Sequence, residues 1–278
     1  MKEEAEVFNK IVEERRAIRR YDEEKSMPEG VVERSLKRAT LAPSSSNMQL
    51  YEFYRINKEN DLKQLAKYCM GQGTASTAQE MVVVVVRLDK YKERAKHNHD
   101  NLAVLWKGVN EKRFKRVDNY YRKLMPAFYF TDPFGLVGWL KKLIVTIVGF
   151  KRPVVREVGK KDMHVTGHKS AALAAQTFML SVTAEGYGTC PMEGMDSKRI
   201  KKWLKLPRRA EINMVISAGV PKFPEALYNE RLRVPISGVD DRAGARYVAF
   251  RRERLRRPGG DIPAFPDSTR TRGIPRVP

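Results

Sequence analysis

The stretch "MVVVVVR" (Met81–Arg87) decides how the rest of the chain is read. Its uninterrupted β-branched run has no polar face, which predicts a strand buried on both sides. Working outward, "YEFYRI" (51–56) alternates enough for a second strand. "INMVISAGVP" (212–221) reads as another buried strand, closed by Gly219 and Pro221. Ala5, Phe8, Ile11 and Val12 fall at helical spacing and predict an amphipathic helix over residues 3–15. A second helix runs from about Pro28, placed in its first turn, to Leu41, and Pro43 ends it. Residues 163–186 form a long helical pattern that stops at Gly186, a natural C′ glycine. Its small residues, Ser170, Ala171, Ala172, Ala174 and Ala175, allow close approach of another helix or of a subunit. "RYVAF" (246–250) reads as a late strand at an edge or exchanged between copies. Helices and strands alternate only partly, so the expected fold class is α+β, a mixed β-sheet flanked by helices.

The 278 residues are 42% hydrophobic, enough for one large core, and the expected domain covers residues 1–250. Residues 91–161 differ in character and are expected to be an insertion within it. Residues 251–278 carry eight arginines and five prolines and read as a basic tail with no core of its own. Cys69 and Cys190 are too few for a disulfide framework, and no CxxC spacing suggests zinc. "MKEEAEVFNK" has no apolar h-region, so the expected location is cytoplasmic. A formal net charge of +21 favours anionic ligands or surfaces. A nucleic-acid role finds no support, because no aromatic residues interleave the basic ones and no known motif is present.

Three polar clusters lie far apart in sequence, each beside a core element. Arg15, Arg16, Arg19 and Arg20 fall at the end of the first predicted helix. They either compensate its dipole or clamp a phosphate through their guanidinium forks. "LAPSSSNMQ" (41–49) is either an ordinary turn or a ligand-facing loop. If extended, it points Asn47 and Gln49 the same way, suiting the donor–acceptor edge of a heterocycle. In "GTCPMEGMD" (188–196), Pro191 and Gly194 would shape a backbone turn able to offer N–H groups to a ring. No catalytic triad is evident. His97 and His99 read as a solvated turn, and His164 and His168 sit at i, i+4 with no third ligand, so no metal is expected.

Taken in order, "ERRAIRRYDEE", "APSSSNMQ", "GYGTCPMEGMD", "KWLKLP" and "ERLRVP" resemble the nitroreductase family of flavin mononucleotide (FMN) enzymes over roughly residues 10–90 and 162–240. That resemblance implies a homodimer with FMN at the subunit interface. It implies that Arg15, Arg16 and Arg19 grip phosphate and the pyrimidine edge, with Ala17 where the family often has serine. Pro43, Ser44, Ser45, Asn47 and Gln49 would line the flavin and its ribityl chain, and Leu50 replaces the family's usual proline. Gln72 would place an amide near the flavin. Pro191, Met192, Glu193 and Gly194 would form the turn against the reactive ring nitrogen, and Arg231 and Arg233 would reach the phosphate. The flavin performs the chemistry, so no catalytic side chain is expected. The implied activity is ping-pong reduction of a nitroaromatic, quinone or similar apolar or aromatic acceptor by NADH or NADPH. Relatives also include reductive dehalogenases and flavin-modifying enzymes, and the two departures leave open a basic membrane-associated protein with a vestigial flavin site.

"FGLVGWLKKLIVTIVGF" (134–150) is strongly apolar. Its length lies near the lower limit of roughly 17–25 residues for a membrane span, and Lys141 and Lys142 at its centre argue against spanning. Two readings survive: a hydrophobic lid over the flavin, which is the favoured expectation, or an in-plane helix in peripheral contact with lipid.

Overall fold

The computed structural model describes residues 2–132, 134–233, 236–239 and 248–250. The first of its two compact units, Met1–Tyr228, opens with helices α1 (Glu3–Glu14) and α2 (Val31–Ala39). A tight turn over Ser45–Asn47 leads to β1 (Tyr51–Ile56). Helix α3 (Glu59–Tyr68) and the short α4 (Gly73–Ser76) then precede β2 (Glu80–Val86). The insertion is helical: α5 (Tyr91–Trp106), α6 (Glu111–Asp118), a π-helical stretch (Asn119–Leu124), α7 (Met125–Tyr129) and α8 (Leu136–Gly149). The long α9 (Lys160–Ala184) is followed by β3 (Gly188–Met192), α10 (Ser197–Trp203) and β4 (Glu211–Gly219). The second unit, Asn229–Pro278, contains β5 (Ile236–Val239) paired antiparallel with β6 (Val248–Phe250). The strand expected at 246–250 is thus present over its described residues; positions 246 and 247 lie outside them.

In the first unit the sheet order is β1-β2-β4-β3, with every neighbouring pair antiparallel. The parallel component of the expected mixed sheet is confined to one isolated bridge, Ala17 to Thr189. The valine run is the central β2, buried throughout. Val82, Val84 and Val86 face a core built by Val32 and Ala39 of α2 with Ala171, Ala174, Ala175 and Phe178 of α9. Met81, Val83 and Val85 face the other core, with Leu65 and Ala66 of α3, Ile200 of α10 and Met192 of β3. Alternation sends successive side chains to opposite faces, and helices cover both, so a strand with no polar side is what this position requires.

The small face of α9 is consumed inside this chain. Ser170, Ala171, Ala174 and Ala175 are all buried, so they permit the sheet and α2 to approach rather than a second subunit. The large apolar residues left exposed on α9 are Val165 and Leu173, and α1, which packs on α9, buries none of its own residues. Helix α2 begins at Val31 rather than Pro28, because Gly30 with φ 86° forms its N-cap. Gly186 occupies the expected C′ position at φ 88°.

A carboxylate clamps α9 to α2 where α9 ends. Glu185 accepts from Arg34 (2.8 and 3.2 Å) and from Arg38 (2.6 Å), and Arg38 also donates to Ser181 Oγ at 3.0 Å. These two guanidinium groups hold the Glu185 carboxyl at about 2, against an ordinary 4.5. A depressed carboxyl contributes stability that is complete above about 4.5 and disappears as pH falls toward about 2. Glu185→Gln should lower the melting temperature at neutral pH and should lose less of it between pH 6 and pH 3 than the parent. Thermal melts across that interval check this; parallel pH profiles for both proteins would refute it.

Candidate functional site

The arginine segment is not helical. Helix α1 stops at Glu14, Arg15 is already extended (φ −61°, ψ 107°), and the last helical turn contains no basic residue. Dipole compensation therefore does not account for Arg16, Arg19 and Arg20. The segment runs instead along the β3 edge of the sheet: Ile18 N–H donates to the Thr189 carbonyl at 3.0 Å, and Ala17 and Thr189 form the parallel bridge. Gly188 is needed for this approach, since a Cβ there would lie 2.9 Å from Pro221 Cγ and would also strike Ile18. A buried hydroxyl network fixes the segment from beneath. Thr74 Oγ1 donates to the Ile18 carbonyl (2.7 Å) and lies 2.8 Å from Ser217 Oγ, which lies 2.8 Å from the Tyr21 hydroxyl. Burial pushes the Tyr21 phenol well above its ordinary range, so it stays protonated.

This corner gathers several of the expected residues. Arg19 donates Nη1 to Cys190 Sγ at 3.7 Å, and its guanidinium sits 5.7 Å from the Tyr228 ring centre. Gln72 donates Nε2 to the Gly194 carbonyl (2.8 Å) and to the Cys69 carbonyl (3.0 Å), which ties the "GQGT" turn to the end of "CPMEG". Gln72 and Gly194, far apart in sequence, thus belong to one cluster. A side chain at Gly194 would press on Gln72, with a Cβ 3.3 Å from Nε2. The turn itself begins later than the sequence suggested. Pro191 and Met192 are strand residues, Pro191 on an edge strand where a missing donor is tolerated. The Met192 side chain is buried in the core, so only its backbone is available, while Glu193 and Gly194 are exposed.

The second cluster lies at another corner. Asn47 and Gln49 are not in an extended segment: Ser46, Asn47 and Gln49 all have positive φ (53°, 52° and 47°) within a tight 3₁₀ turn. Their side chains nevertheless meet, with Gln49 Nε2 3.2 Å from Asn47 Oδ1. Five groups hold this turn. Ser44 Oγ accepts from Gln49 N–H (3.0 Å), Ser170 Oγ accepts from Ser45 N–H (3.2 Å), and Asn98 donates to the Asn47 carbonyl (2.7 Å). Tyr120 pairs with Ser46 Oγ (2.8 Å) and Tyr121 donates to the Ser46 carbonyl (3.1 Å). Pro43, Ser45 and Asn47 remain exposed. Leu50, which stands where the family usually has proline, is buried, and its carbonyl accepts from Arg87 N–H at 2.9 Å.

Asn98, Tyr120, Tyr121, Thr74 and Ser217 were not legible as site-building residues. Their partners in these networks lie 51 to 196 positions away, and no local pattern marked them. His97 and His99 lie on α5 rather than in a turn, and His99 contacts Asp100 and Asp118. His164 and His168 share one carboxylate, Glu211, at 2.6 and 3.0 Å. Among the described residues no group of three or more His, Cys, Asp or Glu could hold a metal.

The two clusters occupy diagonal corners of one sheet. Leu50 directly precedes β1, whose Tyr51 pairs with Val86 at the end of β2; Thr189 pairs with Ala218, which pairs with Glu80 at the start of β2. Three strand spacings and the length of β2 separate them, roughly 14 Å by roughly 20 Å. Arg231 and Arg233 belong to the second unit, where Arg233 donates Nη1 to the Leu232 carbonyl at 2.7 Å.

The chain is similar to known proteins over most of its length. MhqN of Bacillus subtilis (strain 168), assigned as an NAD(P)H nitroreductase, is 23% identical over 215 residues, 77% of this chain and 89% of that protein. A protein of Exiguobacterium sibiricum 255-15, assigned as a nitroreductase and solved in complex with FMN, superposes with a TM-score of 0.58 at 24% identity, covering 82% of this chain and 93% of that one. One from Staphylococcus epidermidis ATCC 12228, assigned as an NAD(P)H:FMN oxidoreductase, gives 0.59 at 20% identity over 82% and 92%. These likenesses establish the fold. The family model described as "Nitroreductase family" matches residues 12–220, and the chain belongs to that family.

Proposed function

We propose that the protein is an FMN-dependent oxidoreductase that works as a homodimer, with each flavin site assembled from one corner of each subunit. The observation that carries this reading is the diagonal placement of two clusters, each suited to a different part of the same ligand. Neither is a complete site alone. Arg15, Arg16 and Arg19 supply cations for a phosphate dianion and for the pyrimidine edge, with Arg231 and Arg233 carried by the resemblance. Ser44, Ser45, Asn47 and Gln49 supply hydroxyls and amides for the ribityl chain and ring. The backbone at Glu193–Gly194 is side-chain-free at Gly194, which suits close approach of a planar ring.

The residues present fit FMN on three counts: the cation set, the open backbone at Gly194, and Thr189 Oγ1, buried beside the arginine segment with no partner among the described residues. Bound FMN supplies hydride transfer, taken from NADH or NADPH and passed in a second half-reaction to an electron-poor acceptor such as a nitroaromatic or a quinone. A guanidinium by the pyrimidine edge favours negative charge building there, which is electrostatic help for reduction. Ala17 lacks the hydroxyl often found in the family, so its contribution is through its backbone bridge to Thr189.

Losing one charge-assisted phosphate contact costs about 1.5–3 kcal/mol, roughly tenfold to a hundredfold in affinity. Arg15→Ala and Arg231→Ala should each weaken FMN by that factor and weaken riboflavin, which has no phosphate, far less. Titration of the protein's flavin fluorescence with both ligands checks this, and equal losses would overturn the assignment.

The shared site makes a sharper demand. Arg19→Ala and Asn47→Ala homodimers should both bind FMN poorly. Mixed and re-annealed, the heterodimers should regain one sound site each, because one corner from each parent is intact. Flavin stoichiometry on the separated heterodimer reads this directly. No recovery in the mixture would mean that each subunit builds its own site.

A further inference from the structure

Helix α8 presents its apolar residues outward. Leu136, Trp139, Leu140, Leu143, Ile144 and Ile147 fall at i, i+3, i+4, i+7, i+8 and i+11, and all are exposed, Trp139 at 66%. Phe134 and Phe150, at 87% and 84% exposed, extend the stripe at both ends. Gly138 is the sole buried residue of the helix. On the side turned toward the protein, Lys141 Nζ donates to the Phe128 and Phe130 carbonyls (3.0 and 2.7 Å), and Gly138 lies against Gly159 and Lys160. Asp132 caps the start by accepting from Leu136 and Val137 N–H. The helix is therefore held on the protein with its largest apolar side chains turned to solvent. Single exposed apolar side chains need no explanation, but a contiguous stripe of this size marks an interaction surface.

We propose that α8 is an in-plane membrane-docking helix whose stripe enters the headgroup–acyl boundary of an anionic bilayer. Charge identifies the occupant. Residues 134–156 carry Lys141, Lys142, Lys151, Arg152 and Arg156 and no carboxylate. Arg152 continues the last turn through its N–H to the Val148 carbonyl (3.1 Å), and the Arg156 guanidinium packs against Gly149. Cations thus collect at the C-terminal end of the apolar stripe, where lipid phosphates would meet them. A second copy docked on the same stripe would bring like charges together, and a lid closing on its own chain would turn this stripe inward. The helix, about 21 Å long, is too short to cross a hydrocarbon core of about 30 Å, and no described helix is long and apolar enough to do so. Trp139 sits within the stripe, as an aromatic anchor at an interface does. This inference is independent of the flavin reading.

The full chain should pellet with phosphatidylcholine vesicles containing phosphatidylglycerol and much less with phosphatidylcholine alone. Lipid binding should shift tryptophan emission to the blue, and Trp139→Phe should abolish most of that shift while Trp106 and Trp203 remain. The triple variant Leu140→Ser/Leu143→Ser/Ile144→Ser changes exposed positions only, so its circular dichroism should match the parent, with partition into anionic vesicles weakened roughly a hundredfold. Lys151→Glu/Arg152→Glu should lose the preference for anionic lipid and keep the fold. The proposal is overturned if the parent stays in the supernatant, or if the triple serine variant pellets as well as the parent, which would assign the contact to basic residues alone. It is equally overturned if the serine variant lowers the sedimenting mass without lipid, which would place the stripe between copies.

Discussion

The first unit is built around a strand whose run from Met81 to Val86 is wholly apolar and buried; its one polar residue, Glu80, opens the strand and is paired with Arg55. Strand β2 is buried along its whole length, with three valines turned toward α2 and α9 and the alternate residues toward α3 and α10. Covering both faces with helices leaves no site above or below the sheet. Functional groups are pushed to its corners and to the loops that enter them. The arginine segment reaches the β3 edge because Gly188 leaves room for it, and the serine turn reaches the β1 edge because β1 begins there. Two polar clusters at opposite corners accord with the exclusion of polar groups from the centre.

The two corners are held by different physics. At the arginine corner the anchor is a buried hydroxyl network, Tyr21, Thr74 and Ser217, in which every member has a partner. Such a network is worth its desolvation only when satisfied, and it fixes the backbone that carries Arg19 without using the arginines themselves. At the serine corner three non-glycine residues sit in the left-handed region, each costing on the order of 1–2 kcal/mol. That conformation persists because side chains from α5, the π-helical stretch and α9 all bond to it. A turn held open against its own preference keeps Ser45 and Asn47 exposed instead of collapsing onto local backbone, which is preorganisation for a ligand.

Sequence reading went furthest where a local pattern and its burial agree. The valine run, the β1 alternation and the Gly186 stop were readable because a period or a glycine states them. It failed where tertiary partners decide the conformation. "RRAIRRY" directly follows α1 with no helix-breaking residue, yet the pairing of Ala17 with Thr189 holds it extended. "SSSN" has turn residues but no glycine, so nothing local announces positive φ; Tyr120 and Tyr121, more than seventy positions later, enforce it. The small stripe of α9 was read as a close-approach face for another helix or a subunit, and the approaching elements are this chain's own α2 and sheet. Pairing of Gln72 with Gly194 joins two motifs whose shared corner no spacing rule reveals.

The insertion serves both ends of this arrangement at once. Its π-helical stretch interrupts regular α-helix at the point where Tyr120 and Tyr121 must both reach the serine turn, their rings 5.0 Å apart at 87°. In an unbroken α-helix adjacent residues point about 100° apart, so bringing both hydroxyls to Ser46 calls for the wider winding. From the same scaffold α7 passes on to α8, whose Lys141 is tied to the carbonyls of Phe128 and Phe130 just beyond the tyrosines. Hydrogen bonds thus join α8 to the same segment whose tyrosines hold Ser46. The exposed apolar stripe and the two tyrosines that hold the strained serine turn therefore belong to one continuous segment, the insertion, although the turn itself lies outside it.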